Sequence, residues 1–281
     1  MEPEFELRGL SVEYEKADQA EGAGTETVLQ SIDLQIRPGQ WLGVAGPNGS
    51  GKSTLGLVLA GLSGYSSGIR EPGWTEGRRI GMVMQNPESQ IVGETVWEDV
   101  CFGLEWLELE TAERKARAAA ALERVGLTAK KEEKVERLSG GQKQLLAIAG
   151  SLAAGSPMIV FDEATAMLDP VSRERVWKAA KDLTQEGTAV VWITQWMEEL
   201  AGSGAMLALE KGRVIYSGTP SGFFYGKEDE DAPSEKTPCE QLGFTAPYPV
   251  RLVQELMRQG FRLSSRPLTV EEAVRAVEAI R

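Results

Sequence analysis

The chain contains no histidine. Imidazole is the side chain whose charge changes near neutral pH and the commonest metal ligand, so no histidine base and no histidine-bound metal is available. Cysteine is nearly absent too. Cys101 and Cys239 lie far apart and neither belongs to a C-x-x-C pair. This supports neither a zinc site nor a disulfide framework and suits a reducing cytosol. Positive charge is also short, with 30 Lys and Arg against 42 Asp and Glu and a net charge of −12. Phosphate backbones select basic surfaces, so nucleic acid is not expected as the main partner. A single nucleotide is not excluded, because a local site can meet it. Long apolar runs are missing: no stretch approaches the ~18 consecutive apolar residues of a membrane-spanning helix. The first residues, Met1-Glu2-Pro3-Glu4, are acidic and lack an apolar signal core. A membrane role would have to come through partner chains.

What is present is an ordinary globular composition, 42% hydrophobic, over 281 residues. That length fits one full domain with room for a small second one. The chain is organised around Gly46-Pro47-Asn48-Gly49-Ser50-Gly51-Lys52-Ser53-Thr54, which fits the phosphate-binding loop G-x-x-x-x-G-K-[ST]. The apolar strand Trp41–Ala45 precedes it, and a helix through Ala60, stopped by Gly61, follows. Such a loop turns successive N–H groups onto one phosphate, with the helix N-terminus adding positive potential. Lys52 would bridge the β- and γ-phosphates, and Ser53 would ligate Mg²⁺.

Around it, Phe5–Tyr14 alternates as a strand pair or one bent strand, and Val28–Ile36 alternates again. Ala17–Thr27 reads as a polar surface loop. Tyr14 is either a half-buried strand residue or a platform for an adenine ring. Buried strands are expected at Ile80–Met84, Met158–Phe161 and Ala189–Ile193. Thr95 and Glu98 form a capping box. Trp97 and Trp106 beside it are local core or a docking surface. Helices are expected at Thr111–Val125 and Lys143–Ala154, the second with Leu145, Ile148, Ala149 and Leu152 on one face. Asp162-Glu163 ends a strand where open α/β sheets bind ligands. Asp162 would hold Mg²⁺, and Glu163 would orient or deprotonate a water. Ser139-Gly140-Gly141-Gln142 is a second anion-binding element at a helix N-terminus, best explained as capping the nucleotide of another subunit. After an acidic stretch from Lys227 to Lys236, helices at Pro249–Met257 and after Thr269 suggest a small C-terminal module, the last with Val270, Val274 and Val277 on one face.

Taken in order, Gly46–Thr54, Gln85, Leu138–Gln142, Met158–Glu163 and Leu168-Asp169 resemble the Walker A, Q-loop, signature, Walker B and D-loop motifs of the ATP-binding cassette (ABC) ATPases. The resemblance implies an α/β P-loop NTPase fold over residues 4–222, with a mainly parallel sheet, an antiparallel β subdomain and a helical subdomain. An acidic linker at 223–239 and a helical dimerisation module at 240–281 would follow. It further implies that Tyr14 stacks on adenine and that Asn48, Gly49, Ser50, Gly51, Lys52, Ser53, Thr54 and Gln85 contact ATP. Gln85 would also sense Mg²⁺, with Ser53 and Asp162. Gln85–Val92, Glu98–Gly103, Met167–Pro170 and the tail resemble more narrowly the ATPase components of energy-coupling factor transporters. That implies a peripheral protein at the cytoplasmic face of the cell membrane, paired with a second ATPase and coupled to a transmembrane T subunit and a substrate-binding S subunit. The alternatives are another class of ABC transporter or a regulatory, catalytically impaired subunit. One position departs from the family: Gln195 stands where the switch His is usual. Gln donates a hydrogen bond but carries no charge, so it either substitutes adequately or leaves the site slow.

Overall fold

The structure, a computed structural model, describes residues 3–15, 24–226, 236–261, 263 and 265–279. Most of the loop expected at 17–27 and the acidic run 228–231 lie outside the described residues. The first alternating segment forms β1 (Phe5–Glu15), a single bent strand. Phe5, Leu7, Leu10 and Val12 are buried, and bulges at Leu7/Leu10 and Leu10/Val12 keep its apolar face inward against β2 (Thr25–Ile36). The buried β3 (Trp41–Ala45) leads through the glycine loop into α1 (Lys52–Ala60), which Gly61 ends in the left-handed conformation. β4 (Ser67–Glu71) completes an antiparallel sheet of order β2-β1-β4. β5 (Gly81–Val83) is shorter than its apolar run, because the Gln90 amide takes over at its end. Gln90 accepts from Met84 N at 2.7 Å and donates to Met82 O at 2.7 Å.

α2 (Val96–Phe102) starts at the Thr95–Glu98 capping box, and α3 (Thr111–Arg124) follows with a largely wet surface. α4 (Gly140–Ala153) begins at the glycines themselves, not at Lys143, because Ser139 caps it. Its buried face is Gly141, Gln144, Leu146, Ile148, Ala149 and Ala153. Leu145 and Leu152, expected inward, are only half-buried. The helix is enclosed by α2, α3 and α5 (Pro170–Gln185), which turns the inward face toward Leu146 and Gln144. With β6 (Met158–Asp162), β7 (Ala189–Ile193), α6 (Met197–Leu200), β8 (Ala205–Glu210) and β9 (Arg213–Gly218), the second sheet has the order β5-β6-β7-β3-β8-β9. It is parallel except for β9. α1 lies close on this sheet: a Cβ at Gly56 would meet Ile193 Cδ1 at 2.9 Å.

The chain ends in α7 (Pro220–Tyr225), α8 (Pro238–Gln241), α9 (Tyr248–Arg258) and α10 (Val270–Glu278). Phe223, Phe224, Cys239, Val250, Val253 and Ala273 pack there with Met206 and Ala208 of β8. Burial pushes the Cys239 thiol up to about 12, so it is an unreactive packing residue. α10 buries Ala273 and Ala276, whereas Val270, Val274 and Val277 are 57%, 50% and 38% exposed. The valine face seen in the sequence is therefore the outer one. No helix among the described residues is long and apolar enough to cross a membrane.

Candidate active site

The glycine loop sits at the C-terminal edge of β3, between β7 and β8. Gly46 is required there by space, since a Cβ would lie 2.4 Å from Leu209 O and 2.5 Å from Ser50 Oγ. Gly49 has φ 76 but open space beside it, the side from which a ligand can approach. The first amides of α1 have no intrahelical acceptor, and its N-cap, Gly51, offers no side-chain cap. Among the described residues Ser50 Oγ is buried without a hydrogen-bond partner. Lys52 is buried and folded back on its own loop, Nζ donating to Gly46 O at 2.8 Å and Pro47 O at 3.1 Å. Burial draws its pKa down, while Glu163 and Asp162 hold it up. A concave set of unmet donors beside a buried ammonium fits a polyphosphate.

Asp162 and Glu163 meet this loop from β6. Ser53 Oγ donates to Asp162 Oδ1 at 3.1 Å. Burial raises the Asp162 carboxyl above its ordinary pKa, and the Ser53 bond opposes the rise. A hydroxyl and a carboxylate at one point are hard oxygen donors. They fit Mg²⁺, which takes one or two protein oxygens and completes its shell with phosphate and water. No cluster of three or more His, Cys, Asp or Glu able to hold a metal alone occurs among the described residues. Glu163 has φ 48, the left-handed region, and its N–H donates to Ile193 O at 2.9 Å. Its Oε1 accepts from Gln195 Nε2 at 2.8 Å, and the same amide donates to Asn48 Oδ1 at 2.7 Å. Gln195 thus ties the glycine loop to the Glu163 carboxylate. Lys52, Ser53, Asn48, Asp162, Glu163 and Gln195 form one connected site; Thr54 follows in the first turn of α1.

Gln85 follows β5 at the same sheet edge and is exposed. Its carbonyl and that of Met84 accept from Gln144 Nε2 at 3.2 and 2.9 Å. Lys143 pairs with Glu88 at 2.5 Å and holds that carboxyl below its usual range. α4 therefore grips the Gln85 turn, a link that sequence reading missed because Lys143 and Gln144 read as an ordinary polar turn of helix. Ser139 and Gln142 are joined in a capping box. Ser139 N donates to Gln142 Oε1 at 3.0 Å, and Gln142 N to Ser139 Oγ at 3.3 Å. Ser139 and Gly140 are exposed, while Gly141 is pressed on α5, where a Cβ would lie 2.5 Å from Ser172 Cβ. This element is carried apart from the Lys52 loop, on α4. Tyr14, at the end of β1, is 43% exposed and pairs its hydroxyl with Ser63 Oγ at 3.3 Å. Of the two tryptophans near α2, Trp97 packs against the helical core, and Trp106 lies exposed under the Arg79 guanidinium.

The arrangement suits phosphoryl transfer to water, where catalysis is positioning and charge stabilisation. Comparison with known proteins points the same way. Residues 29–166 match the family model described as ABC transporter. The energy-coupling factor transporter ATP-binding protein EcfA1 of Halalkalibacterium halodurans is 36% identical over 287 residues, spanning 99% of this chain and 98% of that protein. The structure of cbiO1 from Clostridium perfringens, part of the ABC transporter complex cbiONQ, superposes with a TM-score of 0.69 at 26% identity. That alignment covers 92% of this chain and 100% of the other. The ATP-binding cassette MJ0796, in a dimeric post-hydrolysis state bound to ADP and Pi, gives 0.65 at 25% identity over 77% of this chain and 98% of its own.

Proposed function

Since the chain belongs to the ABC ATPases, among the ATP-binding proteins of energy-coupling factor transporters, we propose that it energises an importer of that type, for vitamins or metal ions. The protein is an ATP hydrolase of this family. The observation that carries the reading is the single cluster in which Ser53 meets Asp162 and Gln195 joins Asn48 to Glu163. In it, the amides of Gly49–Thr54 and the Lys52 ammonium bind the phosphates. Ser53, Asp162 and Gln85 hold Mg²⁺, which when bound neutralises charge on the phosphate oxygens. Glu163 orients or deprotonates the attacking water, and Gln195 faces the γ-phosphate. Tyr14 stacks on adenine.

Ser139, Gly140, Gly141 and Gln142 cap the nucleotide of a second ATPase, so the working unit is a dimer. A transmembrane T subunit docks at the Gln85 turn and, with an S subunit that selects the substrate, places the chain at the cytoplasmic face of the membrane. Residues 240–281 are the dimerisation module, and the exposed Val270, Val274 and Val277 support this. The link expected at 223–239, between this module and the ATPase domain at 4–222, overlaps α7 and α8, whose Phe223, Phe224 and Cys239 are buried, so the connecting stretch falls between those two helices.

The chain's own site is slow in this reading. Both N–H groups of the Gln195 amide are already engaged, by Asn48 and Glu163. Reaching a γ-phosphate means giving up one of those bonds, and Gln brings no positive charge in return. Steady-state ATP hydrolysis tests this, on the chain alone and with its membrane and ATPase partners, beside Glu163→Gln and Gln195→His. Little turnover by the isolated chain, turnover once a second ATPase is added, and a rise with Gln195→His are expected; clear turnover of the chain alone that Glu163→Gln abolishes would mean instead that Gln195 substitutes adequately. Equal turnover of the isolated chain before and after Gln195→His would refute the slow site.

A further inference from the structure

Glu199, on α6, is only 6% exposed and is not part of the cluster just described. We propose that it is a positioning residue that locks the segment carrying Glu163 to the segment carrying Gln195; this rests on the roles assigned to those two residues above. Its carboxylate accepts from Thr165 Oγ1 at 2.6 Å and from Trp192 Nε1 at 2.9 Å. Thr165 lies two residues after Glu163, and Trp192 three before Gln195. The Trp192 ring in turn packs on Phe161 of β6 at 4.8 Å. Arg173, in the first half of α5, brings Nε to 4.0 Å from Glu199 Oε1 and lays its guanidinium over Trp196, next to Gln195, at 4.0 Å.

The sheet explains why such a tie is needed. β6 and β7 are paired up to Asp162 opposite Ile193, and the bond from Glu163 N to Ile193 O is one step beyond. Past that point the two segments diverge, one toward the turn at 166–169, the other toward α6. A buried carboxylate is costly unless fully bonded, and an apolar residue would stabilise α6 more cheaply. What Glu199 supplies instead is a pair of short charge-assisted bonds at low dielectric, which fix both segments to one point. The distance between the Glu163 carboxylate and the Gln195 amide is then set from behind the site.

Thr165→Val removes one donor with little change of volume; Trp192→Phe removes the other but leaves a void in the core, so its packing loss is read from its melting curve. ATP hydrolysis is measured on the full chain in the membrane complex that co-purifies with it, with the second ATPase's own site inactivated so that only this chain's turnover is read, and with melting curves taken in parallel. Each variant is expected to lower kcat by roughly tenfold, the scale of a small misplacement of reacting groups. KM for ATP should move less than about twofold, the pattern of an interaction that matters in the transition state. The double variant should fall little further than either single one, since either loss opens the same tie. Glu199→Gln, which can still accept from Trp192 and donate to Thr165, should keep more turnover than Glu199→Ala. Unchanged kcat in Thr165→Val and Trp192→Phe would overturn the proposal. So would a loss of kcat that merely follows the loss of melting temperature across the series. Turnover that survives Glu163→Gln in the same assay would overturn instead the site assignment on which the proposal stands.

Discussion

Glu163 sits at φ 48, where an L side chain crowds its own backbone. Left-handed geometry costs a non-glycine residue about 1–2 kcal/mol, and such strain gathers where function fixes a side chain. Two bonds hold it there, from Glu163 N to Ile193 O and from Gln195 Nε2 to Glu163 Oε1. Two substitutions separate the terms. Glu163→Ala keeps the strain and loses the Gln195 bond, a net cost of about 0.5–1.5 kcal/mol. Glu163→Gly loses the same bond and relieves the strain, but adds about 0.5–1 kcal/mol of chain entropy. The bond cancels in the comparison. Strain relief of 1–2 less an entropy cost of 0.5–1 leaves the Gly variant more stable by about 1 kcal/mol. For a chain of this length that is a melting difference of about 2 °C. Thermal unfolding of the nucleotide-free chains reads it directly, and both variants should be hydrolytically dead. If Glu163→Ala melts at or above Glu163→Gly, the backbone at this position stores no strain and the argument fails.

Two more outcomes follow from the geometry. Burial raises the Asp162 pKa, so the folded state holds its proton where the unfolded chain has released it. Stability from this group is present below the ordinary carboxylate pKa and lost as pH rises through the folded value. Asp162→Asn mimics the protonated form and can still accept from Ser53. Without nucleotide it should melt above the parent chain at neutral pH and level with it in acid, while losing Mg²⁺-dependent ATP hydrolysis; a melting gain that persists unchanged in acid would contradict this. On α10, Val274→Glu should weaken the proposed dimer at least tenfold by sedimentation, since burying a valine contributes about 1.5–3 kcal/mol. Unaltered association would remove that face from the interface.

The loop at Gly46–Thr54 and the pair Asp162-Glu163 were legible in the sequence because each is contiguous. Glycine spacing, a lysine and the end of an apolar strand are all read within a few residues. The Gln195 bridge was only half legible. Its position after β7 could be read, but its partner Asn48 is 147 residues away in the chain. Glu199 was not legible at all. It stands in Met197-Glu198-Glu199-Leu200, where its neighbour Glu198 is exposed, and a four-residue helix is too short to show a face. β4 escaped notice for the opposite reason: Ser67–Glu71 is so polar and so little buried that no alternation marks it. In α4 the expected inward face holds at Ile148 and Ala149, while Leu145 and Leu152 pack only partly against the core and Leu146 is fully buried, because consecutive Leu145 and Leu146 fit a helical stripe equally well until α3 and α5 close over one of them.

The first turns of α4 face two ways at once. Its N-terminus carries Ser139 and Gly140 toward solvent, and its first turns hold the Gln85 segment through Lys143 and Gln144. A rigid helix joined to that segment by the Lys143–Glu88 ion pair and two hydrogen bonds from the Gln144 amide cannot shift its first turn without moving Gln85. If Ser139–Gln142 cap a partner's nucleotide, engagement on that side is felt at this chain's own sheet edge, beside Asp162. Gln195 makes the coupling matter more, because its amide must leave Asn48 or Glu163 before it can serve a phosphate. A displacement of Gln85 delivered through α4 alters the same edge at which that exchange takes place. Weakening the grip with Lys143→Ala should therefore reduce the response of this site to a partner ATPase while leaving the capping box, and hence the service to the partner's nucleotide, in place.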